Sequence, residues 1–193
     1  METRTLGRTG LEVSLLGAGG FHLLEIPAEQ AQEILHYYLD QGGNYIETAA
    51  EYGHGESERK IGPVVAERRE EIVLASKVVK RKKEAAKEQV ENSLERLQTD
   101  YLDILFMHHV EDEEQLETIL SPGGALEAAH ELQAEGKVGH IGISMHGQPD
   151  ILTAAIETDQ FDVVMATFNY FDKFNFPNLE NELLPLAKEK DIG

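Results

Sequence analysis

Along this chain, short apolar runs alternate with longer charged segments whose apolar residues recur at helical spacing. The runs are Ser14–Ala18, Tyr45–Thr48, Ile72–Ser76, Tyr101–Met107, Val138–Ser144 and Val163–Thr167. Several are continuous rather than alternating, as strands buried on both faces of a parallel sheet should be. Between the first two runs, Ala31, Ile34, Leu35, Tyr38 and Leu39 form a helical stripe stopped by Gly42-Gly43. Ala86, Val90, Leu94 and Leu97 form another, and Ala125, Ala128, Ala129 and Leu132 a further one ended by Gly136. Pro149 opens the fifth helix, and Leu183, Leu184 and Ala187 line the sixth. In the second helix Pro63 falls early, which predicts a kink or a restart there.

Six β-α units of roughly 30 residues each imply a parallel sheet. A doubly wound sheet would want a phosphate-binding glycine loop. Gly17-Ala18-Gly19-Gly20-Phe21-His22 approaches that fingerprint but puts His22 where the third glycine belongs. A (β/α)8 TIM-type barrel fits the repeat better, although such barrels take about 250 residues. The chain has 193 and stops at Asp191-Ile192-Gly193, which reads as the start of a seventh strand. The expectation is therefore an α/β barrel truncated to about six units, forming one partial domain over residues 1–193. Its two unpaired strand edges would invite self-association. The leading segment, Thr3–Leu15, reads as a hairpin turning near Arg8-Thr9-Gly10 that could plug the bottom of the barrel.

Composition narrows the class. Apolar residues make up 41% of the chain, enough for a core, and no apolar run approaches the roughly 18–20 residues of a membrane span. The N-terminus METRTLGRTG lacks the apolar stretch of a secretory signal, and cysteine is absent, so a cytoplasmic protein is expected. A formal charge of −19 argues against nucleic acid and anionic membranes as partners. The one basic cluster runs from Lys77 to Lys83, and its residues 80–83 read mainly as a solvated run at the mouth of a helix.

In such barrels chemistry stands at the C-terminal ends of the strands. There the sequence places Glu47, Lys77, His108 with His109, and Ser144 with His146, while Tyr52 lies in the loop after Glu47. A lysine or histidine closing an apolar run is costly to desolvate without a partner, and several converging on one rim point to a functional site.

Four stretches carry a specific resemblance. Glu47-Thr48-Ala49-Ala50-Glu51-Tyr52-Gly53-His54-Gly55-Glu56-Ser57-Glu58 resembles the signature of the aldo-keto reductases. Ala75-Ser76-Lys77-Val78 and Asp100 to His108 resemble that family's lysine and histidine strands, and Gly136 to Ser144 its fifth strand. The resemblance implies reduction of an aldehyde or ketone by NADPH or NADH, with Tyr52, Lys77, His108 and Glu47 as the catalytic tetrad. Tyrosine, with a pKa of about 10, is a weak acid unless a cation stabilises its phenolate. In this scheme Lys77 is that cation, Glu47 balances Lys77, Tyr52 is the proton donor and His108 orients the carbonyl. The resemblance also implies Gly20, Phe21, Ser144, Met145 and Met165 as cofactor-binding positions.

Three positions depart from the family pattern. Glu47 replaces an aspartate, Met145 an asparagine and Met165 a glutamine, so Ser144 is left of three polar contacts to the nicotinamide carboxamide. Met107 to Val110, Pro122 to Leu126 and Ser144 to Gly147 resemble a bacterial and archaeal branch that often carries an iron–sulfur segment after the barrel. The family's cofactor-stacking aromatic and phosphate-gripping basic residues lie on strands seven and eight, so this stretch alone should bind cofactor poorly and be inactive. Two other readings stay open: a catalytically silent barrel used for binding or sensing, and a metal-dependent hydrolase using Glu47, His108, His109 and His146.

Overall fold

The computed structural model describes residues 1–193, the side chain of Lys173 excepted. Strands β1 (Thr3–Thr5) and β2 (Glu12–Ser14) pair antiparallel, joined by a 3-10 turn over Gly7–Thr9 and by Gly10 at φ 71°. Six further strands follow: β3 (Ala18–Gly19), β4 (Tyr45–Glu47), β5 (Val73–Val78), β6 (Leu102–Met107), β7 (Val138–Met145) and β8 (Val163–Ala166). All pair in parallel, in the order β3-β4-β5-β6-β7-β8.

That order decides the architecture. Each crossover is right-handed by default, so strands added always on the same side put every helix on one face, and the sheet curls away from them. A doubly wound sheet would reverse direction once. This one does not, and it is a partial barrel. The helices are α1 (Ala28–Asp40), α2 (Glu56–Arg68), α3 (Lys83–Leu97), α4 (Glu113–Leu120), α5 (Ala125–Ala134), α6 (Pro149–Glu157) and the short α7 (Asp172–Asn175). A π-helical turn over Leu179–Leu183 then leads into α8 (Leu184–Glu189). No helix among the described residues is long and apolar enough to cross a membrane.

Strand parity divides the core in two. Ile46, Leu74, Leu105, Met107, Ile141 and Ile143 face the helices and join the large outer core. Ala75, Ile104, Phe106 and Val163 face the concave side, packed against Tyr45, Val73, Met165 and Leu6 and Leu11 of the hairpin region. The hairpin lies across the N-terminal ends of the strands. Asn44, just before β4, bonds the Ser14 amide at 2.8 Å and the Glu12 carbonyl at 2.7 Å, and Arg8 reaches the Phe161 carbonyl at 2.8 Å, just before β8.

Four sequence expectations need correction. The first barrel strand is Ala18–Gly19, not Ser14–Ala18, because Ser14 is drawn into the hairpin. The third strand runs on through Lys77 and Val78, so Lys77 is within it rather than after it. An additional helix, α4, stands before Ala125; the Asp112 carboxylate caps it by accepting from the Gln115 amide at 2.7 Å. Helix α2 runs unbroken through Pro63, clamped between α1 and α3 with Ile61, Val64 and Val65 fully buried. At the far edge, Val164 donates to the Gly193 carbonyl at 2.8 Å and Gly193 to that of Asp162 at 3.0 Å, so Gly193 already lies beside β8 in parallel-ladder fashion.

The packing of α2 on α3 depends on Gly62, where a Cβ would overlap the Arg96 carbonyl oxygen. Helix propensity alone favours alanine over glycine by about 1 kcal/mol, yet overpacking costs about 1–3 kcal/mol. Gly62→Ala should therefore lower the stability measured by urea unfolding; a more stable variant would show that this contact yields freely.

Candidate active site

The parity that sends Tyr45, Val73, Ala75, Ile104 and Phe106 into the barrel also sends Glu47, Lys77 and His108 inward, one step further along three adjacent strands. Register aligns them: Glu47 pairs with Ala75, and Lys77 with Phe106. Tyr52 reaches the same place from the loop after β4. That loop is tied down by Thr48 N to the Ala75 carbonyl at 2.9 Å and by the Thr48–Ser57 hydroxyl pair at 2.8 Å.

The Lys77 ammonium is 3% exposed as a residue and donates to three acceptors: a Glu47 carboxylate oxygen, the Thr48 carbonyl at 2.8 Å and the Tyr52 hydroxyl at 3.0 Å. Its nitrogen also lies 4.5 Å from the centre of the Tyr52 ring. Glu47, one methylene longer than the family's aspartate, thus reaches Lys77 directly. Burial draws Lys77 down to about 7, while the carboxylate in contact with it favours the charged form. Burial raises the Tyr52 phenol above its ordinary value. His108 is pushed down to about 3, first by burial and then by the charges of Lys77, His109, His146 and Arg81, so its ring is neutral at physiological pH. Its Nδ1 is sealed from solvent without a partner, which leaves Nε2 as the nitrogen available to a ligand.

Two spaces meet at this cluster. A cavity of about 150 Å3 runs from Glu47, Lys77 and Tyr52 to Ser144, Met145, Met165 and Thr167. A wider cleft of about 530 Å3 is walled by Phe21, Glu51, Tyr52, His108, His109 and His146. Tyr52, His108 and His146 line both. The structure therefore gathers Ser144, Met145 and Met165 on one side of the tetrad, with the Ser144 hydroxyl donating to the Met107 carbonyl at 3.3 Å. Phe21 stands on the other side, its ring edge-on to Tyr52 at 5.2 Å. Gly20 lines neither space. Its amide donates to the Glu47 carbonyl at 2.7 Å, and a Cβ there would overlap the Ser57 and Thr48 hydroxyls, so its place is under the end of β4.

The metal reading finds no geometry: no three His, Cys, Asp or Glu side chains among the described residues are grouped to hold an ion. Glu47 is engaged by Lys77, His109 Nδ1 by Glu111 at 3.1 Å, and His146 Nδ1 by the Thr167 hydroxyl at 2.8 Å.

Sequence reasoning missed two supporting residues. Glu58 is fully buried, accepting from Ser76 at 2.7 Å and from Arg96 at 2.7 Å. It stands in the quoted signature, so the signal was present without a role attached. Lys60, 8% exposed, donates to the carbonyls of Leu23 at 3.0 Å and Ile26 at 2.8 Å, and so fixes the 3-10 turn Phe21–Glu25 that carries Phe21. A lysine in the middle of an apolar helix face was its only sign.

Residues 15–193 match the Aldo/keto reductase family. Oxidoreductase YqkF of Bacillus subtilis is 30% identical over an alignment that takes in 100% of this chain and 63% of YqkF. An aldo-keto reductase of Bacillus halodurans, solved in its holo form, is 32% identical with a TM-score of 0.84, covering 100% of this chain and 64% of its own. An aldo/keto reductase of Klebsiella pneumoniae in complex with NADP and acetate is 28% identical with a TM-score of 0.80, covering 98% and 65%. The chain spans less than two thirds of the length of each. With a family match that begins at residue 15 and runs to residue 193, on a sheet that superposes on solved members, the chain belongs to the aldo/keto reductase family.

Proposed function

We propose that this chain carries the catalytic centre of an NAD(P)H-dependent reductase of aldehydes or ketones. The observation that carries this reading is the Lys77 ammonium bonded at once to Glu47 and to the Tyr52 hydroxyl, between a ring-sized cavity and a wider cleft. The complexes of solved relatives with NADP and NADPH support the choice of cofactor.

The residues present fit a nicotinamide ring. The smaller cavity is too small for a dinucleotide; Met165 from the inner layer gives it an apolar wall, Met145 lines it while packing in the outer core, and the Ser144 hydroxyl gives a polar contact for the carboxamide. When bound there, the nicotinamide supplies a hydride. The chain's own groups do the rest. The neutral His108 imidazole donates through Nε2 to the carbonyl oxygen in the cleft and fixes its approach. Tyr52 gives its hydroxyl proton to the oxygen as charge develops there. Lys77, 3.0 Å from that hydroxyl, stabilises the phenolate that remains, and Glu47 keeps the ammonium charged and in place. Phe21, His109 and His146 shape the cleft that receives the substrate.

Three outcomes test this reading. In the full-length protein with NADPH in excess, Tyr52→Phe should lower the rate of carbonyl reduction by about 10²–10⁴-fold, the worth of a general acid, while the affinity for NADPH stays nearly constant. Near-normal turnover, with chemistry rate-limiting, would remove Tyr52 from the role of proton donor.

Affinity for the cofactor should itself be weak. Among the described residues Lys77 is the only lysine or arginine lining either space, and a net charge of −19 opposes a polyphosphate. Fluorescence titration of residues 1–193 with NADPH should give a Kd above about 100 µM, weaker than the micromolar binding expected of a built site. Tight binding would mean that a phosphate site exists elsewhere on the described surface.

The neutral state of His108 also sets a pH dependence. Its imidazole falls from about 6.5 in the unfolded chain to about 3 in the native one. Between these values the unfolded chain binds a proton that the native one does not. The stability contribution is thus present above 6.5 and is lost as pH falls towards 3, by up to about 1.4 kcal/mol per unit for one proton. His108→Phe should flatten the decline in urea midpoint between about pH 6.5 and 5, above the range where carboxylates dominate. Equal slopes in the two proteins would refute a neutral His108.

A further inference from the structure

Arg81 lies between the end of β5 and the start of α3, outside both spaces at the tetrad. Its Nη2 donates to three oxygens: the His108 carbonyl at 2.7 Å, the His109 carbonyl at 2.9 Å and the Gln115 side chain at 2.9 Å. Its Nη1 is sealed from solvent with no partner. A buried donor left unsatisfied is costly, so the guanidinium is held in this position rather than drifting into it. Arg81 itself is pinned, because its carbonyl accepts from Ala125 at 2.9 Å and the neighbouring Lys82 bridges to Gly124.

The two carbonyls that Arg81 holds bracket an unfavourable turn. His109 sits at φ 57°, in the left-handed region that a side chain with a Cβ enters only when something holds it there. That turn aims the His108 ring into both spaces and the His109 ring into the cleft, 5.9 Å apart. Arg81 therefore links the exit of the strand that carries Lys77 to the exit of the strand that presents His108.

We propose that Arg81 is a positioning residue: it clamps the His108-His109 turn and so sets where the His108 imidazole stands beside Tyr52 and Lys77. The inference rests on the reading of His108 as the group that orients the carbonyl. The clamp is positional first, through two hydrogen bonds to backbone, and electrostatic second, because its charge adds to those of Lys77, His109 and His146 around the ring. Burial draws the Arg81 guanidinium below its ordinary value, opposed in part by Glu111 and Asp112, which favour its charged form, while Glu47 balances Lys77 on the opposite side.

The test uses the 193-residue chain with isotope-labelled histidine, the His108 signal being identified by its loss in His108→Phe. In Arg81→Met, which keeps the aliphatic stem, the His108 and His109 ring signals should move while those of His22, His36 and His130 stay. The His108 titration should rise as a nearby cation is lost, by less than removal of Lys77 would raise it. Arg81→Lys keeps the charge but not the fork, so the signals should move while the titration stays low; this variant also answers if Arg81→Met does not fold. In carbonyl reduction with NADPH by the full-length protein, kcat should fall by about 10- to 100-fold in either variant, the scale of a small misplacement, with KM for NADPH within about twofold. His108 signals unmoved in a folded variant would overturn the proposal. Absence of reduction by the unaltered full-length protein would sink the functional reading alone, since the resonance measurement needs no turnover.

Discussion

Taking an ammonium out of water costs several kcal/mol unless its protons are all engaged, and Lys77 engages them with Glu47, the Thr48 carbonyl and the Tyr52 hydroxyl. Each partner is thereby committed. Glu47 cannot turn toward solvent without leaving a buried cation behind. The chain from Thr48 to Tyr52 must fold back over the end of β5 to bring a carbonyl and a phenol to the same nitrogen. The loop turns that allow this, with Gly53 at φ 59° and Gly55 at φ 83°, follow from that demand. The same bonds that make burial of Lys77 tolerable place a cation against the Tyr52 hydroxyl, the proposed proton donor. Stability and chemistry here are requirements on one set of contacts.

Strand β5 is held in rotation from both of its faces. Lys77 points inward to Glu47, and its neighbour Ser76 points outward to Glu58, which in turn holds Arg96 of α3. Lower on the same strand, the Leu74 amide donates to Asp103 at 2.8 Å, and that carboxylate also takes Arg69 at 2.8 Å. Buried ion pairs contribute little net stability compared with well-packed apolar groups, but breaking one leaves an uncompensated charge, which penalises every alternative register. A one-residue slip of β5 would send Lys77 into the apolar layer against α2 and α3 and Ser76 into the site. Two ionic anchors of opposite direction make that slip costly twice over.

The alternation of elements was legible because burial on both faces writes a strand as an unbroken apolar run, and Ile104 to Met107 is the clearest case. The tetrad was legible because a lysine and a histidine closing such runs are conspicuous. What escaped notice lacked a pattern of its own. Helix α4 is short, with Leu116 and Ile119 as its buried residues, and its strongest sign was the cap at Asp112. The first strand was placed too early because Ser14 to Ala18 is apolar enough, while its assignment depends on Ser14 pairing with Thr3 and on the Ser14 amide bonding Asn44, partners distant in sequence. Pro63 breaks an isolated helix, yet packing between α1 and α3 overrides that local preference. Lys60 and Arg81 act on carbonyls of residues about 30 positions away, a relation that no local spacing expresses.

The placement of the site within the sheet has a consequence for what this length of chain can hold in order. Glu47 and Lys77 belong to β4 and β5, and His108 directly follows β6; each of these strands is flanked by a strand on both sides, so their geometry is fixed by complete ladders. Met165 belongs to β8, whose outer side is met by Gly193, and Ser144 to the strand just within it. Segments with few backbone partners open at lower free energy than those enclosed by neighbours. The groups proposed to transfer a proton therefore sit in the interior of the sheet, while Ser144 and Met165 sit toward its edge. Fraying at β8 would loosen Met165 and then Ser144 before the contacts of Lys77 with Glu47 and Tyr52.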